Sequence, residues 1–175
     1  MSKYKIVFIL LGFFALGSGA SSQNLVVIDT TINREILLGV VNKEGLSLPV
    51  FLKNWEEAYN NYQPAATTVG LLKKYFRKNK NVTIQVFFGS WCGDSQDQLP
   101  NFVKLQDQAK IKRVEYFALN RKKYMPQMDT SFYRIQFVPT FIVYRDGKEA
   151  GRIVETPNES LEKDLWNILN AKKEE

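Results

Sequence analysis

The chain has 175 residues, a formal net charge of +6, ordinary apolar content, one cysteine and no histidine. That length supplies one domain with a real core. Without histidine there are no Ser-His or Cys-His nucleophile pairs and few routes to a zinc site, and a lone cysteine builds neither a thiolate cluster nor an internal disulfide. No metal or other cofactor is expected.

Residues 1–20 read as a secretory signal peptide: Lys3 and Lys5, an apolar run from Ile6 to Gly17, then the small residues Ser18 to Ser22. The run is shorter than the roughly 20 residues of a spanning helix, so no stable membrane anchor is expected. Cleavage is expected after Ala20, which places the mature chain in a bacterial periplasm or outside the cell, with a net charge of about +4. The apolar run is not followed by a lipid-acceptor cysteine. Export makes an unpaired cysteine informative, because that compartment favours disulfides: the thiol is either reactive or buried and inert.

Residues 21–63 are read as an N-terminal helical extension whose first stretches, Leu25 to Ile28 and Glu35 to Val41, are irregular or weakly stranded. Phe51, Leu52, Trp55, Ala58, Tyr59 and Tyr62 recur at helical spacing and predict a helix stopped near Pro64. Residues 64–175 form the main domain. A second helix runs from a Thr67 or Thr68 cap to Lys78, with Val69, Leu72 and Phe76 on its apolar side. Val82 to Phe88 is rich in branched and aromatic residues and reads as a central strand.

A helix is expected from Ser95 to Ala109, kinked at Pro100, then a strand from Arg113 to Leu119 and a short helix from Met128 to Gln136. Thr140 to Tyr144 and Ala150 to Val154 flank Asp146-Gly147, a hairpin signal. A last amphipathic helix, Ser160 to Ala171, starts at an Asn158 or Ser160 cap. The order is α/β, a parallel portion closing in an antiparallel hairpin. Arg77-Lys78-Asn79-Lys80 and Arg121-Lys122-Lys123 read as a charged last helical turn and a solvated loop. No nucleic-acid motif accompanies them, and no nucleic-acid partner is expected.

The chemistry concentrates in Trp91-Cys92-Gly93-Asp94-Ser95, where the central strand turns into a helix. A thiol at a helix start lies near free backbone N–H groups and the positive end of the dipole, which favour the reactive thiolate. The Asp94 carboxylate acts in the opposite sense, and a hydroxyl hydrogen bond from Ser95 would favour ionisation, so the net sign stays open.

Together with this turn, Pro100 eight residues beyond Cys92, Val138-Pro139-Thr140, and Tyr144-Arg145-Asp146-Gly147 resemble the thioredoxin superfamily over Val82 to Ala171. The leader, the extension and the Trp-Cys-Gly-Asp pattern resemble its exported bacterial members. The resemblance implies a thioredoxin-like fold, a central mixed sheet flanked by helices. It implies Cys92 as nucleophile, Trp91, Gly93 and Asp94 as its turn, and Val138 with a cis-Pro139 as the surface for a substrate chain. Two positions depart from the pattern: Ser95 stands where a resolving cysteine belongs, and Val86 where a buried acid belongs.

Cys92, with Ser95 beside it, then carries monothiol thiol–disulfide exchange or isomerisation on protein or low-molecular-weight thiols and disulfides, with an external thiol as resolver. The alternative is a redox-inactive thioredoxin-fold module that binds peptides or serves structurally.

Overall fold

The computed structural model describes residues 23–171, and the leader expected at residues 1–20 lies outside them. In chain order the elements are β1 (Val26–Asp29), β2 (Arg34–Leu37), β3 (Gly39–Val41), α1 (Lys43–Leu46), α2 (Trp55–Asn61) and α3 (Ala66–Lys78). They are followed by β4 (Val82–Phe88), α4 (Gly93–Ala109), β5 (Val114–Ala118), β6 (Thr140–Arg145), β7 (Lys148–Val154) and α5 (Leu161–Asn170). β1 and β2 form their own hairpin, and the central sheet runs β3-β5-β4-β6-β7. β4 lies parallel to β5 and antiparallel to β6, so the sheet is mixed, as expected.

Alternation along β4 divides the interior. Val82, Ile84, Val86 and Phe88 face a large core with Leu72, Leu99, Phe102 and Leu165, contributed by α3, α4 and α5. Phe87 faces a smaller core with Phe117, Leu119, Met125, Val138 and Ile142. Val86, at the position of the buried acid in the resemblance, is fully buried between Tyr116 and Phe141 in the register. At the β6–β7 turn, Asp146 and Gly147 both take positive φ, the geometry a two-residue hairpin demands.

The extension is helical only in its later part, and its first stretches, expected to be irregular or weakly stranded, form strands. Its first half is the β1–β2 hairpin followed by β3, which joins the central sheet antiparallel to β5. Leu37, Val41, Leu46 and Phe51 enter the same large core as Ile84 and Leu99. The segments on either side of the 63/64 boundary therefore share a core. Phe51 packs edge-on against Phe88 with centroids 5.3 Å apart, and burying such a ring contributes about 1.5–3 kcal/mol.

Other boundaries shift for local reasons. The helix expected from Phe51 starts only at Trp55, because the Phe51 carbonyl accepts a bond from the Gln96 side chain instead of a helical N–H. α3 starts at Ala66 without a threonine cap, and the Ala65 N–H is taken up by the Glu162 carboxylate of α5 at 3.0 Å. The helix expected over Met128 to Gln136 is a 3-10 turn, Thr130–Tyr133, opened by Asp129 and ended by Arg134 at φ 51°. α4 begins at Gly93, two residues before the expected start, and contains Pro100; Ser160 caps α5.

Candidate functional site: a thiol at the start of α4

β4 delivers the chain into the turn Gly89-Ser90-Trp91-Cys92 at the carboxyl end of the central sheet. The Cys92 N–H donates to the Gly89 carbonyl at 2.9 Å, and the Cys92 carbonyl accepts the Gln96 N–H at 3.1 Å. Those two bonds make Cys92 the N-cap of α4, extended at φ −98° and ψ 127°. Its thiol is half-buried. It donates to the Val138 carbonyl at 3.2 Å, and the Asp94 carboxylate lies 3.9 Å from the sulfur. The peptide joining Val138 to Pro139 is cis.

The other residues singled out in the sequence divide into two groups. Trp91, Gly93, Asp94, Val138 and Pro139 gather around the sulfur: Gly93 and Asp94 are exposed in the first turn of α4, and Val138 and Pro139 are buried. The Trp91 indole N–H donates to the Leu119 carbonyl at 2.8 Å. Arg121 and Lys123 lie 5.3 and 5.1 Å from the Trp91 ring, so the loop read as merely solvated covers one wall of the turn.

Ser95 belongs to the second group. It is fully buried, and its hydroxyl oxygen accepts the Gly89 N–H at 3.2 Å. The expected bond from Ser95 to the sulfur gives way to one that closes the turn from behind. The thiol's own hydrogen bond goes to Val138.

Three further residues build the site without having been expected as site residues. Ser90 is 1% exposed and its oxygen accepts the Leu37 N–H at 2.9 Å. Gln96 donates to both the Ser90 and Phe51 carbonyls at 2.9 Å. Gly89 is required by the indole: a Cβ there would sit 2.6 Å from Trp91 Cε2. A glycine immediately before the aromatic turn was the one local signal available. Ser90 and Gln96 gave none, since Leu37 and Phe51, to which they tie the turn, lie on the extension.

Among the described residues no group of three or more His, Cys, Asp or Glu stands close enough to hold a metal. The arrangement offers one nucleophile, half-open to solvent, opposite a buried prolyl loop. Such a group is chemically equipped for thiol exchange.

A mixed sheet whose central strand ends in a thiol-bearing turn, facing a prolyl loop, defines a thioredoxin-fold protein. The chain belongs to the thioredoxin family, whose model matches residues 50–165. It is 26% identical over 88 residues to a thioredoxin-like protein of Acanthamoeba polyphaga mimivirus, a match covering 50% of this chain and 63% of that one. It is 27% identical over 94 residues to a putative thioredoxin of Dictyostelium discoideum, covering 53% of this chain and 86% of the relative. Among solved structures, Fasciola hepatica thioredoxin covers 56% of this chain and 88% of its own, with 23% identity and a TM-score of 0.38. The chain thus spans less than two thirds of the length of the viral relative.

Proposed function

We propose that the protein works as a monothiol thiol–disulfide exchange protein in a bacterial exported compartment, with Cys92 as its nucleophile. The observation that carries this reading is the position of the sulfur, half-exposed at the N-cap of α4 and 3.2 Å from the Val138 carbonyl. A substrate strand laid along Val138 and Pro139 would bring its disulfide to that sulfur, with Trp91, Gly93 and Asp94 bordering the approach.

The Cys92 thiolate attacks one sulfur of the substrate disulfide; a new sulfur–sulfur bond forms, the old one breaks, and the other substrate sulfur leaves as thiolate. A second thiolate, external or the substrate's own, then attacks the mixed disulfide and returns Cys92 as thiolate. Electrons balance without a cofactor, and the number of disulfides is unchanged. Ser95 serves this cycle by holding the turn at Gly89.

The reading is tested by alkylation kinetics on the purified mature chain and by capture of mixed disulfides in cells. Alkylation faster than that of a free cysteine peptide, with captured partners lost in Cys92→Ala, supports it; ordinary alkylation with nothing captured sinks it. Export is checked separately by the mass of the mature chain, expected to lack residues 1–20.

A second reading, a redox-inactive peptide-binding module, draws on Ser95. The position of a resolving thiol is occupied by a fully buried hydroxyl engaged with the backbone. That reading expects partners that persist in Cys92→Ala.

A further inference from the structure

We propose that the cleft between α3 and the segment following α4 binds a phosphate ester with an apolar body, at a site separate from the thiol. The cleft has a volume of about 430 Å³, within the range of small-ligand pockets. Lys73, Lys74, Arg77 and Lys80 line one side, and Lys110, Lys112 and Arg113 the other. No carboxylate lines it. Among the described residues none of these seven cations is in an ion pair, and Arg113 alone is engaged, donating to the Lys80 carbonyl at 2.8 Å.

Helix ends do not account for this charge. α3 and α4 both terminate here, and each end presents about half a negative elementary charge, so together they offset about one cation of the seven. The surplus charges repel one another across the cleft, and a multiply charged anion would relieve that repulsion. Arg77 and Arg113 supply planar forks suited to phosphate oxygens, and the lysines supply mobile point charges.

The floor is apolar, formed in part by Phe76 and Val82, which are 8% and 3% exposed. Gly70 at the rim supplies a second observation. It lies inside α3, where glycine costs about 1 kcal/mol relative to alanine, yet a Cβ there would meet nothing within 4 Å. No steric contact demands the glycine; its effect is to leave the cleft open. Because Val82 begins β4 and the thiol turn follows its other end, the cleft lies about 20 Å along the strand from that turn. The proposal is therefore independent of Cys92.

The test is equilibrium binding to the full mature chain, with three probes: geranyl diphosphate, inorganic pyrophosphate, and phosphatidylcholine vesicles with or without phosphatidic acid. Saturable binding of geranyl diphosphate is expected, weakened about tenfold or more in Arg77→Gln/Lys112→Gln. Gly70→Leu should reduce it to the level of pyrophosphate while leaving the melting temperature equal or higher. Arg121→Gln/Lys122→Gln, on the loop beside Trp91, should leave it unchanged. Phosphatidic-acid-dependent vesicle binding without geranyl diphosphate binding, if lost in the cleft pair, assigns the phosphate to a lipid headgroup; the reverse assigns it to a soluble ester. The proposal is overturned if neither geranyl diphosphate nor the phosphatidic-acid vesicles bind, if the loop pair weakens binding as much as the cleft pair, or if Gly70→Leu has no effect. Melting curves of each variant establish that it is folded.

Discussion

The backbone N–H of Leu37 donates to the hydroxyl oxygen of Ser90 at 2.9 Å, across 53 residues of sequence and with both residues buried. This bond ties β2 directly to the turn that carries the thiol. Gln96 reinforces it by holding the Phe51 and Ser90 carbonyls together. The extension is a brace for the Cys92 turn, built into the same core.

Ser90→Ala removes the acceptor and leaves a buried N–H unpaired on Leu37, so it should destabilise the fold by about 1–3 kcal/mol. Urea denaturation should show the lower midpoint with an unchanged slope, since the surface exposed on unfolding is the same. A midpoint equal to the parent's would mean that the brace contributes nothing.

Gly89→Ala places a methyl group 2.6 Å from Trp91 Cε2, and the indole must move. Its bond to the Leu119 carbonyl should break, with a change in tryptophan emission and a several-fold change in the Cys92 alkylation rate, on the order of 3-fold or more. Identical emission and identical alkylation would mean that the indole stays in place and that the close approach at Gly89 does not position it.

Acid stability should depend on Glu162. Burial pushes its carboxyl upward, but bonds from the Tyr62 hydroxyl at 2.6 Å and the Ala65 N–H at 3.0 Å outweigh it and hold the group below the usual glutamate range. A lowered native value means that the carboxylate's contribution is complete above the unfolded value and disappears as pH falls through the native one. Between about pH 7 and about pH 3, Glu162→Gln should therefore flatten the loss of stability relative to the parent. Burial, then the bond to Glu162, pushes the Tyr62 hydroxyl up, so its ultraviolet titration should lie above that of an ordinary tyrosine.

Ser95→Cys puts a thiol one helical turn from Cys92, at a fully buried position. If the site can exchange disulfides, dithiothreitol-driven insulin reduction should rise about tenfold or more over the parent. The control is Ser95→Ala, which should lose the Gly89 bond and some stability without gaining reductase activity. Equal activity in parent and Ser95→Cys, with the two thiols unable to pair, would count against a redox-competent turn.

Much of the fold was legible in the chain. The run Val82–Phe88, the Asp146-Gly147 turn and the stripe of α5 each follow from side-chain periodicity and local backbone preference, which neighbours in sequence impose. Two helix starts were misread because hydrogen bonds go elsewhere: the Phe51 carbonyl to Gln96, the Ala65 N–H to Glu162. Periodicity does not register a partner dozens of residues away.

The same division runs through the site. By itself the sequence determined that a single thiol ends the central strand and starts a helix, because residue type and order fix that much; Val138 and Pro139 as its facing surface came with the resemblance to the thioredoxin superfamily. Only the tertiary structure decided what each group touches. It turned Ser95 inward to Gly89, aimed the sulfur at Val138, and brought Leu37 under Ser90, since a hydrogen bond depends on position in space and these partners meet only when the sheet closes.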